Sequence, residues 1–279
     1  MKRTTCWLAS YPKSGNTWMR MVWEAVQSGS AVGINTLQAP GAIAASRQNF
    51  DTALGVSSSD LTNDEVEMLR PRADDLGAAA QPGPTLRKVH DALAYGPTGD
   101  LVVSVASAFG ALYIIRDPRD VAISFARHMG LDLDTSVDRL IRGASLSSYG
   151  HYPGVLLDQR LSRWDDHVGS WVDQDVLAVH IVRYEDCLAS PVATFGAALR
   201  FSQVHVSDEA VAAAVDSTKF TTLARQEAEE GFREGSRTGS QFFRAGRSGQ
   251  WIDEMPRPLV ARIEAEFGDT MARFGYLAG

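Results

Sequence analysis

The chain has 279 residues, a hydrophobic content of 44% and a formal net charge of −7. Its length and apolar content suit one α/β domain with a full core, whereas its acidic balance argues against nucleic acid as a partner, because such proteins usually present a basic surface. The two cysteines, Cys6 and Cys187, provide neither a disulfide framework nor a metal-ligand spacing, which favours a reducing compartment. We find no signal sequence and no apolar run long enough to cross a bilayer, so we expect a cytoplasmic protein without membrane insertion.

The first predicted elements meet in residues 11–18, which read Tyr-Pro-Lys-Ser-Gly-Asn-Thr-Trp. This octet follows a β-like run at 6–10 and opens a helix-like run at 17–27. The first N–H groups of a helix have no partner inside it, and the helix dipole favours negative charge there. The junction therefore predicts an anion site with Lys13 as an added cation, the alternative being an ordinary turn with an exposed lysine. The octet is not a Walker A motif, in which the lysine follows the glycines.

Residues 35–84 are rich in small and polar side chains and predict a helical and loop insertion over the sheet. Within them, residues 59–65 are typical of an N-cap followed by an acidic first turn. They predict a short helix that ends near Arg70 and Pro71.

Strand-like and helical patterns alternate along the chain. The strand-like runs, rich in valine and isoleucine, lie at 6–10, 86–90, 111–116 and 176–182. The helical patterns after the octet lie at 118–127, 161–172, 190–199, 208–215 and 258–274. Continuous hydrophobicity suits parallel strands that helices cover on both faces, so we expect one α/β domain over residues 1–279, with a central parallel sheet flanked by helices. Residues 228–248 lack periodicity and predict a lid loop.

Ligands of such sheets bind beyond the carboxyl ends of the strands. Ser10, His90 and Arg116 each end a predicted strand, so the sequence places them at one edge of the sheet.

Four stretches in order resemble the cytosolic-type sulfotransferases, which use 3′-phosphoadenosine 5′-phosphosulfate (PAPS), and the likeness is greatest to bacterial small-molecule enzymes. The octet matches the P-loop-like phosphosulfate-binding loop of that family except at Asn16, where the family has threonine. Residues 87–91 resemble its Lys-Thr-His strand end, and residues 113–124 resemble its 3′-phosphate motif. Residues 243–251 resemble its late Arg-x-Gly-x-x-Gly-x-Trp loop.

The resemblance implies transfer of the sulfuryl group from PAPS to a hydroxyl of a small-molecule acceptor. It assigns catalytic roles to His90 as general base, to Lys13 beside the leaving phosphate and to Lys88. An imidazole titrates near neutrality and can accept a hydroxyl proton. Lys88 lies two residues before His90, so on a strand both side chains point to the same face. Without the resemblance, a lone histidine at a strand end is more often an ordinary polar residue.

The resemblance also implies a donor site. Its residues, by number in this sequence, are Lys13, Ser14, Gly15, Asn16, Thr17, Trp18, Arg116, Ser124, Tyr184, Thr218, Phe220, Arg244, Ala245 and Gly246. Taken alone, residues 116–120 equally suit a salt-bridged turn, and Trp18 equally suits a buried aromatic residue on an amphipathic helix. In residues 116–120, Arg119 and Asp120 are the two that the sequence leaves with a structural role.

No metal is predicted, because the histidines show no ligand spacing, and His167 is interpreted as part of a packing face between Trp164 and Trp171. A family dimer motif is not recognisable, so the oligomeric state stays open. Two other functions remain alternatives, an ATP-dependent phosphotransferase of the P-loop type and a non-catalytic nucleotide-binding module. The acceptor stays open among phenols, sugars, lipids and natural-product scaffolds.

Overall fold

A computed structural model describes residues 3–37, 42–146, 155–235 and 241–277. The strands within these ranges are β1 (Thr5–Ser10), β2 (Thr85–Val89), β3 (Ala108–Ile115), β4 (Ala144–Leu146), β5 (Gln159–Ser162) and β6 (Val179–Arg183). Four of them form a parallel sheet in the order β2-β1-β3-β6, and β4 pairs with β5 in a separate antiparallel ladder. The expected α/β fold with a central parallel sheet is confirmed.

Helices cover both faces of this sheet. In chain order they are α1 (Asn16–Ser28), α2 (Arg47–Leu54), α3 (Asn63–Ala79), α4 (Pro118–Met129), α5 (Leu133–Arg142), α6 (Trp164–Val172), α7 (Tyr184–Ala189), α8 (Pro191–Phe201), α9 (Asp208–Ser217), α10 (Phe220–Glu230), α11 (Trp251–Glu254) and α12 (Arg257–Arg273). Of the helices in the described residues, none is long and apolar enough to cross a membrane.

The core lies in two layers, one on each side of the sheet. Every residue of β1 is buried, and its side chains alternate between the layers, so that Trp7 packs with Tyr113 and Phe125 while Leu8 packs with Leu112. This two-sided burial explains the continuous hydrophobicity of the strands.

The helix predicted to end near Pro71 is longer than expected. Thr62 and Glu65 form the predicted capping box, but α3 continues to Ala79 with Pro71 inside it. A proline inside a helix removes a hydrogen bond and is destabilising. Two buried ion pairs on either side of it, from Arg70 to Asp91 at 2.6 Å and from Asp74 to Arg87 at 2.8 Å, fix α3 against the sheet.

Other boundaries also differ from the expectation. The helix predicted from residue 161 begins at Trp164, because Gln159–Ser162 pairs with Ala144–Leu146 instead. The helices α5, α7, α10 and α11 were not predicted, whereas α2 lies in the insertion that was expected to be partly helical. Helix α10 extends to Glu230, so the first residues of the predicted lid loop are helical. Residues 38–41 of the insertion and 236–240 of the lid loop lie outside the described residues.

Candidate active site

A cavity of about 660 Å³ opens at the carboxyl ends of β1, β2 and β3. It brings together nearly all the site residues that the sequence predicts. These are Lys13, Gly15, Asn16, Thr17, Trp18, Lys88, His90, Arg116, Ser124, Tyr184, Thr218, Phe220, Arg244, Ala245 and Gly246, whereas Ser14 does not line the cavity.

The loop between β1 and α1 has the backbone geometry of an anion site. Gly15 adopts φ 111°, and a Cβ there would lie 2.7 Å from the ring of Tyr184, so the close approach requires glycine. No described side chain caps α1, and the residues at its start, Gly15, Asn16 and Thr17, line the cavity. Lys13 itself has φ 72°, a costly conformation for a residue with a side chain.

The Lys13 ammonium group lies 3.5 Å from the centroid of the Phe242 ring, in cation–π geometry. Among the described residues it has no hydrogen-bond or ion-pair partner. Burial, with the nearby charges of Lys88 and Arg116, lowers the pKa of Lys13 to about 7. The Lys13 side chain therefore lies in the site without an ion-pair partner among the described residues, and an anionic ligand would favour its charged form.

The two polar side chains after Lys13 differ from the expectation that both face the ligand. The Ser14 hydroxyl is buried and has no partner among the described residues. The Asn16 amide donates to the Leu8 carbonyl at 3.1 Å and to the Ser10 hydroxyl at 3.2 Å. Asn16 thus uses its side-chain donor to fix the end of β1, and only its main chain remains for an anion.

His90 follows β2 with its tautomer fixed by a carbonyl. The ring Nδ1 lies 2.8 Å from the Ser10 carbonyl oxygen, which can only accept, so Nδ1 carries the proton and Nε2 is left without one. Burial, followed by the charge of Lys88, lowers the pKa of His90 well below its usual range. At neutral pH His90 is a neutral imidazole with a free Nε2 lone pair, which is the form that a general base requires.

His167 supports the main chain of His90. Its Nε2 donates to the His90 carbonyl at 3.0 Å, and its Nδ1 accepts from the Tyr113 hydroxyl at 2.8 Å. Burial lowers the pKa of His167 to about 4, so the ring stays neutral. The sequence indicated its packing between Trp164 and Trp171, which are both buried, but not these hydrogen bonds.

Asp91 fixes the chain directly after His90. Its carboxylate accepts from both terminal nitrogens of Arg70, at 3.0 and 2.6 Å, and from the Arg160 main-chain N–H at 2.9 Å. Trp171 donates to its carbonyl at 2.9 Å. Sequence reasoning missed this role, and the signal available was a carboxylate immediately after the candidate general base at a strand end.

Glu234 is the one acidic residue among the described residues that line the cavity, and it was also missed. Its carboxylate lies 2.9 Å from the Lys88 ammonium group and 2.8 Å from Arg20. Burial opposes its ionisation, but Lys88 and Arg20 outweigh that effect and lower the pKa of Glu234 to about 2. Lys88 lies on the same face as His90, as predicted, with its charge already paired.

The Arg116 guanidinium donates hydrogen bonds to two loops. It donates to the Lys13 carbonyl at 3.1 Å and to the Arg247 carbonyl at 3.2 Å, and it stacks over Tyr184 at 4.3 Å. Its Nε is buried without a partner among the described residues. Arg244 pairs with Glu254 at 3.1 Å, so an incoming ligand would compete for this guanidinium.

Arg119 and Asp120, to which the sequence analysis assigned a structural role, make ionic and hydrogen-bond contacts with other residues of the protein. Arg119 pairs with Asp117 at 2.7 Å. Asp120 accepts from the main-chain N–H groups of Gly249 at 2.9 Å and Trp251 at 3.1 Å.

Aromatic rings enclose the cavity near α1. Trp18 packs edge-on against Phe195 and Tyr184, at centroid distances of 4.9 and 6.2 Å. Phe220 packs on Gly246, where a Cβ would lie 2.3 Å from its ring. The Thr218 hydroxyl donates to the Ala214 carbonyl at 2.8 Å, so towards a ligand it can only accept.

We call one part of the cavity the donor side; it is lined by Lys13, residues 15–18, Lys88, His90, Arg116, Ser124, Tyr184, Thr218, Phe220 and residues 244–246. The other part, the acceptor side, is lined by Ile43, Phe125, Met129, Leu146, Leu157 and Gln159. The acceptor side is mainly apolar, and its walls come from residue 43, helix α4, strand β4 and residues 155–159. Of the described residues of the 35–84 insertion, Ile43 lines the cavity. In the part of the chain that the structure describes, no group of three or more His, Cys, Asp or Glu is arranged to hold a metal.

Comparisons with known proteins agree with this geometry. Residues 3–275 match the family model described as sulfotransferase domain. Cytosolic sulfotransferase 17 of Arabidopsis thaliana is 25% identical over 97% of this chain and 75% of the relative. Cytosolic sulfotransferase 16 of the same plant is 25% identical over 94% of this chain and 76% of the relative.

Solved structures share the fold. A retinol dehydratase in complex with retinol and PAP has a TM-score of 0.63 at 19% identity and covers 97% of this chain and 82% of its own. The mouse sulfotransferase SULT7A1 complexed with PAP has a TM-score of 0.61 at 19% identity, covering 98% and 86%. Retinol dehydratase has also been solved with androsterone and inactive cofactor PAP, with a TM-score of 0.60 at 19% identity, covering 97% and 81%.

Proposed function

This chain belongs to the sulfotransferase domain family, and from that membership we propose the reaction of its cavity, an in-line transfer of the sulfuryl group of PAPS to a hydroxyl of a small acceptor. The enzyme is a PAPS-dependent sulfotransferase. The residue assignments rest on one observation. A Lys13 side chain without an ion-pair partner among the described residues and a His90 ring with an unprotonated Nε2 line the same cavity.

In this reaction the acceptor oxygen bonds to sulfur while the bond from sulfur to the bridging phosphate oxygen breaks. His90 Nε2 takes the acceptor proton, and its Nδ1–H bond to the Ser10 carbonyl stabilises the imidazolium that forms. Lys13 meets the negative charge that develops on the departing 5′-phosphate. These are tasks of position and charge, so the proposal uses no metal.

The donor is held at both ends of its nucleotide. We assign the 5′ end to the loop of residues 13–17 and the N-terminus of α1, and the 3′-phosphate to Arg116, Ser124 and the loop at 244–246. Trp18 and Phe220 provide aromatic surfaces for the adenine, with Tyr184 and Thr218 beside it. The described part of the predicted lid loop contributes residues 233–235 and 241–246 to the lining of the cavity.

The acceptor is a small molecule that reacts through a hydroxyl. The apolar acceptor side supports this, as do the neighbours solved with retinol and androsterone. The two Arabidopsis relatives carry the name cytosolic, which supports a cytoplasmic location. The bacterial likeness of the motifs stays a prediction, since the relatives named above come from a plant and a mouse.

The test is transfer of label from [³⁵S]PAPS to a panel of phenols, sterols, sugars and long-chain alcohols, with [γ-³²P]ATP as the parallel donor. We expect labelled product from PAPS alone. Label transfer from ATP would favour a phosphotransferase instead. Binding of adenosine 3′,5′-bisphosphate (PAP) without transfer to any acceptor would favour a nucleotide-binding module.

A further inference from the structure

The acceptor side of the cavity combines an apolar wall with one buried amide. The wall is formed by Ile43, Phe125, Met129, Leu146, Leu157 and Phe242. Gln159 lines the same cavity among these side chains and is 5% exposed. Two polar side chains of α4, Arg127 and His128, also line the cavity, and the His128 ring lies edge-on against Phe242 at a centroid distance of 5.9 Å.

The strand pairing explains why Gln159 faces inward. Side chains alternate along a strand, and here Gln159 and Leu161 are buried, whereas the Arg160 side chain is 46% exposed and pairs with Glu67 at 2.6 Å. Gln159 lies opposite Leu146 in the ladder between β4 and β5, so its main chain is fixed. The amide is therefore held in the wall by regular structure.

Apart from the main-chain pairing of β5 with β4, Gln159 makes no hydrogen bond to any described residue. An amide has two donor hydrogens and an acceptor oxygen, and those of Gln159 are not among the fully buried unpartnered atoms of the described residues, so they remain accessible from the cavity. Pockets for small molecules commonly combine apolar walls with a few such polar groups, which orient the ligand. A leucine or methionine would complete the apolar wall at this position, whereas the glutamine presents two donors and an acceptor to a molecule in the cavity.

We propose that Gln159 determines acceptor specificity by hydrogen bonding to a second polar group of the acceptor. This inference rests on the proposed sulfuryl transfer. It defines the acceptors as largely apolar alcohols or phenols with a hydroxyl, carbonyl or amide remote from the hydroxyl that is sulfated. His90 selects the reacting hydroxyl, and Gln159 fixes the orientation of the rest of the molecule.

The experiment compares kcat/KM for matched acceptors with and without the second group, with PAPS as donor. The pairs are 4-phenylphenol with 4,4′-dihydroxybiphenyl, 2-naphthol with 2,6-dihydroxynaphthalene, and androsterone with its 17-deoxy analogue. The wild type should prefer the bifunctional member of at least one pair. Gln159→Leu should lower kcat/KM for that member by roughly tenfold or more and change the other member by less than about threefold.

Leu157→Met is the matched control on the same wall, and it should alter both members of a pair alike. An equal ratio in the wild type and Gln159→Leu for every pair would overturn the proposal, as would a Gln159→Leu ratio that changes no more than that of Leu157→Met. Binding of each acceptor to the PAP complex, followed by tryptophan fluorescence, gives the same ratios without turnover. If transfer failed but these binding ratios shifted, the sulfuryl-transfer function would be wrong and the role of Gln159 would stand.

Discussion

The donor side and the acceptor side of the cavity are built from different kinds of sequence. The donor side comes from short contiguous segments at strand ends, such as residues 11–18, where glycine, a cation and a helix start occur together. The acceptor side comes from single residues of remote segments, such as Ile43, Met129 and Leu157. An anion site needs a local backbone geometry that a motif encodes, whereas an apolar wall needs only side chains that also suit a core.

The largest expected effects lie on the donor side and separate its two main residues. His90→Ala should lower turnover by roughly 10²–10⁴-fold, the range that general-base catalysis contributes, and leave PAP binding nearly unchanged. Lys13→Ala should weaken both turnover and donor binding, because its charge meets the 5′ end in the ground and transition states alike. The measurements are kcat and calorimetric binding of PAP for each variant.

Full turnover in His90→Ala with a good acceptor would make His90 a structural residue. Loss of PAP binding in that variant would also contradict its assignment as the base. If an acceptor-side variant such as Leu157→Met lost as much kcat as His90→Ala, the effect of His90→Ala would no longer be specific to the donor side.

The second prediction concerns the buried support of the donor side. Asp91→Ala should lower the free energy of unfolding by about 3–5 kcal/mol, because it leaves Arg70 buried without its partner. The two side chains are 1% and 4% exposed. Urea unfolding measures the change, and the double variant with Arg70→Met should recover part of it.

Glu229→Ala is the control for that experiment. Its pair with Arg225 is surface-exposed, at 56% and 65%, so the expected change is within about 0.5 kcal/mol. Similar losses for Asp91→Ala and Glu229→Ala would mean that the support under His90 is not specific.

The long-range contacts that hold His90 and Lys88 in position could not be predicted from the sequence. The parallel sheet and the donor-side motifs follow from continuous apolar runs and from local turn chemistry. The ring hydrogen bonds of His167 and the ion pair from Glu234 to Lys88 join residues 77 and 146 positions apart, respectively, to the catalytic strand end. No local pattern encodes such contacts, because each partner alone resembles an ordinary helix or loop residue.

Two other differences from expectation have the same cause. Pro71 signalled the end of a helix, but α3 continues through it, and buried ion pairs on both sides connect this part of the helix to residues 87 and 91. Asn16 was taken as a ligand donor, whereas Leu8 and Ser10 lie within reach of its amide only once β1 and α1 are folded together.

The third prediction uses pH. The pKa of Lys13 lies at about 7, so the charged form that binds the donor is lost as pH rises through that value. We expect kcat/KM for PAPS to fall up to tenfold per pH unit above pH 7. The kcat profile should be flatter, because bound phosphates stabilise the ammonium form.

The pH profile should show no inflection from His90 near pH 6.5, since burial keeps the pKa of His90 well below that value. Lys13→Arg retains its charge and should flatten the basic limb of kcat/KM. A kcat/KM for PAPS that stays constant from pH 7 to 9 in the wild type would contradict this account of Lys13.

The central claim is that the donor side holds a nucleotide with phosphates at both its 5′ and 3′ positions, and calorimetric titration with PAP and with AMP tests it most directly. Arg116, Ser124 and Arg244 line the same cavity, and the proposed function assigns the second phosphate to them. Charge-assisted hydrogen bonds contribute about 1.5–3 kcal/mol each, so PAP should bind at least about tenfold more tightly than AMP. Equal dissociation constants for the two nucleotides would contradict the claim.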